Sequence, residues 1–169
     1  MSVDVVLPAL DEVEGIRRLL PRLPEGHRAI VVDNGSTDGT AEAALAAGAR
    51  VIQEPIRGFG AACFAGLSAA TAPIVAFMDA DASFDPVDLP RVTTPVIEGR
   101  VDLMLGARSP LDPGAAWPAQ TQMSICATAD ASANRTRSNA ASTSYPSRGV
   151  ARGRATRRSS SRAATAETV

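Results

Sequence analysis

Five short apolar runs constrain the fold of this chain more than any other feature. Val3 to Leu7, Ala29 to Val32, Val51-Ile52, Ile74 to Met78 and Val101 to Leu105 are separated by stretches with helical spacing. Asp11 to Leu20 carries Val13, Ile16, Leu19 and Leu20 on one helix face, and an Ala-rich helix over 41–47 is closed by Gly48. Residues 61–70 and 87–97 predict two more helices. Near-continuous apolar strands alternating with helices imply an α/β fold, a parallel sheet covered on both faces. Ligands of such sheets gather at the carboxyl ends of the strands. That rule places residues 8–12, 33–38, 54–60, 79–85 and 106–108 on one rim.

Composition divides the chain near Pro118. Residues 1–118 hold 9 Arg and 16 Asp plus Glu, a net of −7, whereas 119–169 hold 8 Arg and 2 acids, a net of +6. Of the last 51 residues, 36 are Ala, Ser, Thr or Arg. The expectation is therefore a domain over 1–118, incomplete at its end, followed by a low-complexity tail over 119–169 that buries too little apolar surface to order. Without later strands, one side of the sheet would carry an unpaired edge. Arg, Ala, Ser and Thr are also what GC-rich DNA yields out of frame, so the tail's composition fits a shifted reading frame after codon 118. Its arginines lack interleaved aromatic residues apart from Tyr145, and nucleic-acid binding is not expected. Two cysteines, Cys63 and Cys126, do not make a disulfide framework. With no apolar run long enough to span a bilayer and no leader pattern, a cytoplasmic location is expected, which leaves room for a membrane-bound acceptor.

The chemistry concentrates in Asp79-Ala80-Asp81, placed where the fourth apolar run stops. Two carboxylates one residue apart suit a hard divalent cation, Mg²⁺ or Mn²⁺, whose remaining ligands are phosphate oxygens. The Asp-x-Asp-x-Ser of 79–83 also resembles the nucleophile motif of haloacid-dehalogenase-type phosphatases, although that motif belongs on the first strand. A calcium loop is excluded, because Phe84 stands where glycine is needed and Pro90 where glutamate is needed. Asp33 at the end of the second strand suits a base or ribose, while Asp38 and Thr40 suit turn and capping roles. Arg57-Gly58-Phe59-Gly60 opens a helix whose N-terminus can face phosphate, but Cys63 replaces the third glycine of a dinucleotide fingerprint. His27, the only histidine, precedes the second strand on the side remote from the rim.

Taken in order, Val5 to Glu12, Val31 to Thr40, Arg57 to Ala62, Phe77 to Pro86 and Leu105 to Arg108 resemble the family 2 glycosyltransferases, in particular their dolichyl- and polyprenyl-phosphate sugar transferase branch. The resemblance covers residues 3 to about 118. It implies the GT-A fold, with a Rossmann-like, mainly parallel sheet. It also implies transfer of a hexose, with inversion, from a GDP-mannose or UDP-glucose type donor to an acceptor such as polyprenyl phosphate. By the same resemblance Pro8, Leu10 and Glu12 contact the nucleoside, with Asp11 in place of the usual asparagine, and Asp33 contacts the base or ribose. Arg57, Gly58, Asp79, Ala80, Asp81 and Ser83 complete the nucleotide-sugar site. Asp79 and Asp81 meet the metal, and Asp81 and Arg108 act on the reacting phosphates. A catalytically inactive, truncated nucleotide-sugar-binding remnant is the alternative reading, and a phosphatase the third.

Overall fold

A computed structural model describes residues 1–107, 123–129 and 150–154. The first strand, β1 (Val3–Ala9), runs parallel to β2 (His27–Asp33) on one side and to β4 (Ile74–Met78) on the other, and β2 runs parallel to β3 (Arg50–Gln53). Beyond β4 come β6 (Met123–Ala129), β5 (Leu103–Ala107) and β7 (Val150–Arg154), giving the order β3-β2-β1-β4-β6-β5-β7. Strand β6 is antiparallel to both its neighbours, and β7 is parallel to β5. Among the described residues the sheet is thus mixed but mainly parallel.

Successive side chains of a strand point to opposite faces, so the central strands feed two cores. Val3, Val5, Leu7 and Ala9 of β1 join Val31, Ala76 and Met78 beneath α1 (Val13–Leu19), α2 (Thr40–Ala46) and α4 (Leu89–Ile97). Val6, Ile30, Val32 and Val75 face the other way, under α3 (Phe59–Ala69). Each buried valine or leucine contributes about 1.5–3 kcal/mol. Helix α3 lies against the sheet through glycine. A Cβ on Gly66 of α3 would stand 2.3 Å from Val6 Cγ1, so a side chain there would force the helix off β1. Pro21 ends α1 by opening a 3₁₀ turn, Leu20–Arg22, and Gly48 at φ +81 follows α2.

The amino end of β1 is locked electrostatically. Asp4 is 2% exposed and accepts hydrogen bonds from Thr71 N (2.6 Å), Ala72 N (2.8 Å) and Arg28 Nε (2.9 Å). Burial alone would raise its carboxyl; the two backbone donors and the Arg28 guanidinium outweigh it and hold the group below the usual range.

Two expectations need correction. Strand β5 begins at Leu103 and continues through Gly106-Ala107, so those two residues pair within the sheet and are not part of a rim loop. The reason is tertiary: Leu105 pairs with Cys126 and Gly106 with Ile125, partners invisible to local propensity. Past residue 118, Met123–Ala129 and Val150–Arg154 are strands. Met123, Ile125, Ala127 and Ala129 alternate with Ser124, Cys126 and Thr128, a period of two written in small residues. As a result β4 pairs with β6 along the side where an open edge was expected. The remaining residues after Ala107, Arg108 among them, lie outside the described residues.

Candidate functional site

The carboxyl ends of β1, β2 and β4 come together with the start of α3. After Ala9 the chain bends through Asp11, whose φ of 56 is left-handed, and enters α1. The loop following β2 fastens this bend. Asp11 N donates to Ser36 Oγ (2.9 Å), Glu12 N to Thr40 Oγ1 (2.9 Å) and Val13 N to Asp38 Oδ2 (3.0 Å), while Thr37 N donates to Asp11 Oδ1 (2.8 Å). Asp38 in this way caps α1 from another part of the chain, and satisfies an amide that the helix itself leaves open. The Thr40 hydroxyl first, joined by the Val13 and Thr40 amides, holds the Asp38 carboxyl below its ordinary range despite an opposing desolvation cost.

At the end of β4, Asp79 is half-buried, Ala80 buried and Asp81 exposed. Ala82 follows at φ 58, a left-handed conformation costly for alanine, and Ser83 N donates to Asp81 Oδ1 (2.9 Å). Helix α1 presses on this segment: a Cβ on Gly15 would lie 2.0 Å from the Ala80 carbonyl oxygen. Only glycine permits that approach, and it brings Glu12, one residue before α1, to the two aspartates.

The third wall is the loop between β3 and α3. Asn34, 6% exposed, donates through Nδ2 to the carbonyls of Glu54 and Ile56 (2.8 Å each) and accepts at Oδ1 from Gly58 N (2.7 Å). Gly58, at φ +133, then starts α3.

These walls enclose a cavity of about 320 Å³ lined by residues that include Pro8, Leu10, Glu12, Arg57, Gly58, Asp79, Ala80 and Asp81. Eight of the residues singled out from the sequence therefore share one cavity. Asp33 and Ser83 are not in its lining. Asp33 is 4% exposed and accepts from Ser36 N (2.9 Å); burial would raise its carboxyl, but the Ser36 hydroxyl and amide and Gln53 hold it down. Asn34, Phe59 and Ala62 also line the cavity and were not picked out by sequence reasoning. A polar amide next to a strand-end aspartate was the available signal for Asn34. His27 sits at the opposite end of β2, where it faces Thr93 Oγ1 at 3.2 Å and borders a larger cavity of about 600 Å³ far from the carboxylates.

The cavity wall carries three carboxylates against one guanidinium. Burial, followed by the negative charges of Asp81, Asp38, Asp11 and Asp79, pushes the Glu12 carboxyl above its ordinary range. Cys63, on α3, has its thiol pushed up to about 11 by burial and then by Asp79, so it stays protonated and inert. No three His, Cys, Asp or Glu side chains converge as a ready metal cage among the described residues. The oxygen donors of Asp79 and Asp81 instead fit a hard cation that takes one or two carboxylates and completes its shell with phosphate.

An open α/β sheet with acids at the ends of its central strands and a helix N-terminus across from them is the architecture of the GT-A class. The family model for glycosyl transferase family 2 matches residues 4–158, and the chain belongs to that family. An uncharacterised glycosyltransferase of Mycobacterium tuberculosis (H37Rv) is 49% identical over 117 residues, which are 69% of this chain and 53% of that protein. Glucosyl-3-phosphoglycerate synthase of Mycolicibacterium smegmatis is 38% identical, over 57% of this chain and 36% of the relative. The crystal structure of the M. tuberculosis glucosyl-3-phosphoglycerate synthase in complex with Mn²⁺, UDP-glucose and phosphoglyceric acid superposes with a TM-score of 0.56 at 33% identity, covering 62% of this chain and 43% of that one. The chain thus spans about half the length of the relative it matches at 49% identity. The family displaces the phosphatase reading of Asp79 to Ser83.

Proposed function

We propose that this chain binds a nucleoside-diphosphate sugar in the cavity between β1, β4 and α3 and takes part in transferring its hexose to a phosphorylated acceptor. The observation that carries the reading is the charge balance of the wall: Glu12, Asp79 and Asp81 face one arginine, Arg57. A diphosphate is repelled by such a wall unless a cation accompanies it. Asp79 and Asp81 would hold Mg²⁺ or Mn²⁺, in keeping with the Mn²⁺ complex of the relative. When bound, the cation neutralises charge on the departing diphosphate.

The protein's own part is positional. Pro8 and Leu10 form the wall available to a nucleoside, and Asp33 braces the loop through Ser36. Arg57 and the first amides of α3 face the diphosphate side, where fixed donors stabilise developing negative charge. Arg108 is proposed to meet the sugar or acceptor phosphate.

For the acceptor, the phosphoglyceric acid complex of the relative favours a small phosphorylated acid. The polyprenyl phosphate suggested by the sequence is the competing choice; it needs no general base, whereas a hydroxyl acceptor does. Among the described residues no helix is long and apolar enough to cross a membrane. The test incubates the whole chain with Mn²⁺, UDP-glucose or GDP-mannose, and either 3-phosphoglycerate or a short polyprenyl phosphate, and identifies products by mass and anomeric proton coupling. A glycosylated phosphoglycerate supports the proposal. Nucleotide binding with no product from either acceptor supports the binding-only alternative, and absence of nucleotide binding sinks both.

A further inference from the structure

We propose that Asn34 is a positioning residue for the donor site, acting by holding Arg57 and the start of α3 against the nucleotide's diphosphate; the inference rests on the donor-binding reading above. Its carboxamide spends two donors on the Glu54 and Ile56 carbonyls and its oxygen on the Gly58 amide, three bonds of 2.7–2.8 Å that straddle Arg57. These partners fix the amide's orientation, since two carbonyls require N–H and one amide requires an acceptor. The pattern is not reproduced by other side chains of that size: aspartate has no donor, and glutamine is one methylene too long.

The asparagine is itself immobile. It is 6% exposed, and its own amide donates to Ala9 O (2.9 Å), which ties it to the end of β1. Next to it, Glu54 N donates to Asp33 O (3.0 Å) and Ile56 N to Glu54 Oε1 (2.7 Å). Arg57, by contrast, is exposed on the cavity wall, with its guanidinium near Gly35. A long exposed side chain contributes to phosphate binding only as far as its backbone is fixed, because otherwise the ligand must meet the cost of ordering it. Asn34 removes that cost in advance.

Asn34→Asp is the discriminating substitution, since it keeps shape while turning an oxygen toward two carbonyls. Affinity for UDP and for GDP is measured by calorimetry in Mn²⁺ at pH 7.5 for the wild-type chain, and the nucleotide that binds is then titrated into Asn34→Asp, Arg57→Ala and the double variant, with melting temperatures alongside. The expected result is a loss of at least about tenfold in Asn34→Asp that shrinks to less than about threefold in the Arg57→Ala background, as for residues acting through one another. Asn34→Ala, which removes the bonds without adding charge, replaces Asn34→Asp should the latter not fold. Losses that multiply, or an unchanged affinity in the variants, overturn the inference and leave the donor reading standing. A wild-type chain that binds neither UDP nor GDP overturns the donor reading and this inference with it.

Discussion

Asp81 is exposed on the cavity wall, and its loss should act on the ligand more than on the protein. Asp81→Ala is expected to weaken Mn²⁺-dependent UDP binding by at least about tenfold, read by calorimetry, because it removes one of the two carboxylates proposed for the cation. The same change relieves repulsion on Glu12 but also removes the acceptor of the Ser83 amide, so the ligand-free protein should melt close to wild type while UDP binding falls. Glu12 gives a pH signature. Its folded-state carboxyl is raised, so its ionisation destabilises the fold; the protonated form's contribution is complete below about pH 4 and is lost as pH rises through the folded value. Glu12→Gln should therefore raise the melting temperature at pH 7.5 and leave it unchanged near pH 4; a drop at pH 7.5 would contradict the repulsion argument. At this scale the place of Asp79 and Asp81 at the end of β4 was legible because a strand end followed by acids is written locally. The three-way grip of Asn34 was not, since it depends on a loop 20 or more residues away.

Elements here meet through absent side chains. Gly15→Ala would drive a methyl group into the Ala80 carbonyl, and α1 must then retreat from the segment that carries Asp79 and Asp81. Gly66→Ala would do the same to α3 on β1. Overpacking of this kind costs about 1–3 kcal/mol, measurable by urea denaturation. Only Gly15→Ala should also weaken UDP binding, which separates the two contacts. Asp4 contributes on the acid side. Its lowered carboxyl stabilises the fold above the ordinary carboxylate range, and that stability disappears as pH falls through the folded value. Asp4→Ala, which leaves the Thr71 and Ala72 amides without their acceptor, should cost about 1–3 kcal/mol at neutral pH and less as pH falls through the folded value. Most element positions could be read from apolar spacing. Strand β5 was misplaced by two residues because its register is set by β6, and Gly106-Ala107 carry no strand preference of their own.

For the whole molecule, the break in composition at Pro118 and the pairing of the sheet do not coincide. Strand β6 lies between β4 and β5, and α4 packs against both β5 and β6. A fragment ending at residue 118 should lose the partner of two strands at once and aggregate at concentrations where the full chain stays monomeric, as seen by light scattering. A monomeric fragment with the full chain's melting temperature would show instead that the compositional boundary is a folding boundary. The position of β6 also orders events during synthesis. Strand β4 ends at Met78 and its partner ends at Ala129, so 51 further residues must be made before that pairing is complete. At ribosomal speeds this delay is roughly 3–10 s. Throughout it the strand that carries Asp79 and Asp81 at its end waits with one side open to any neighbouring chain.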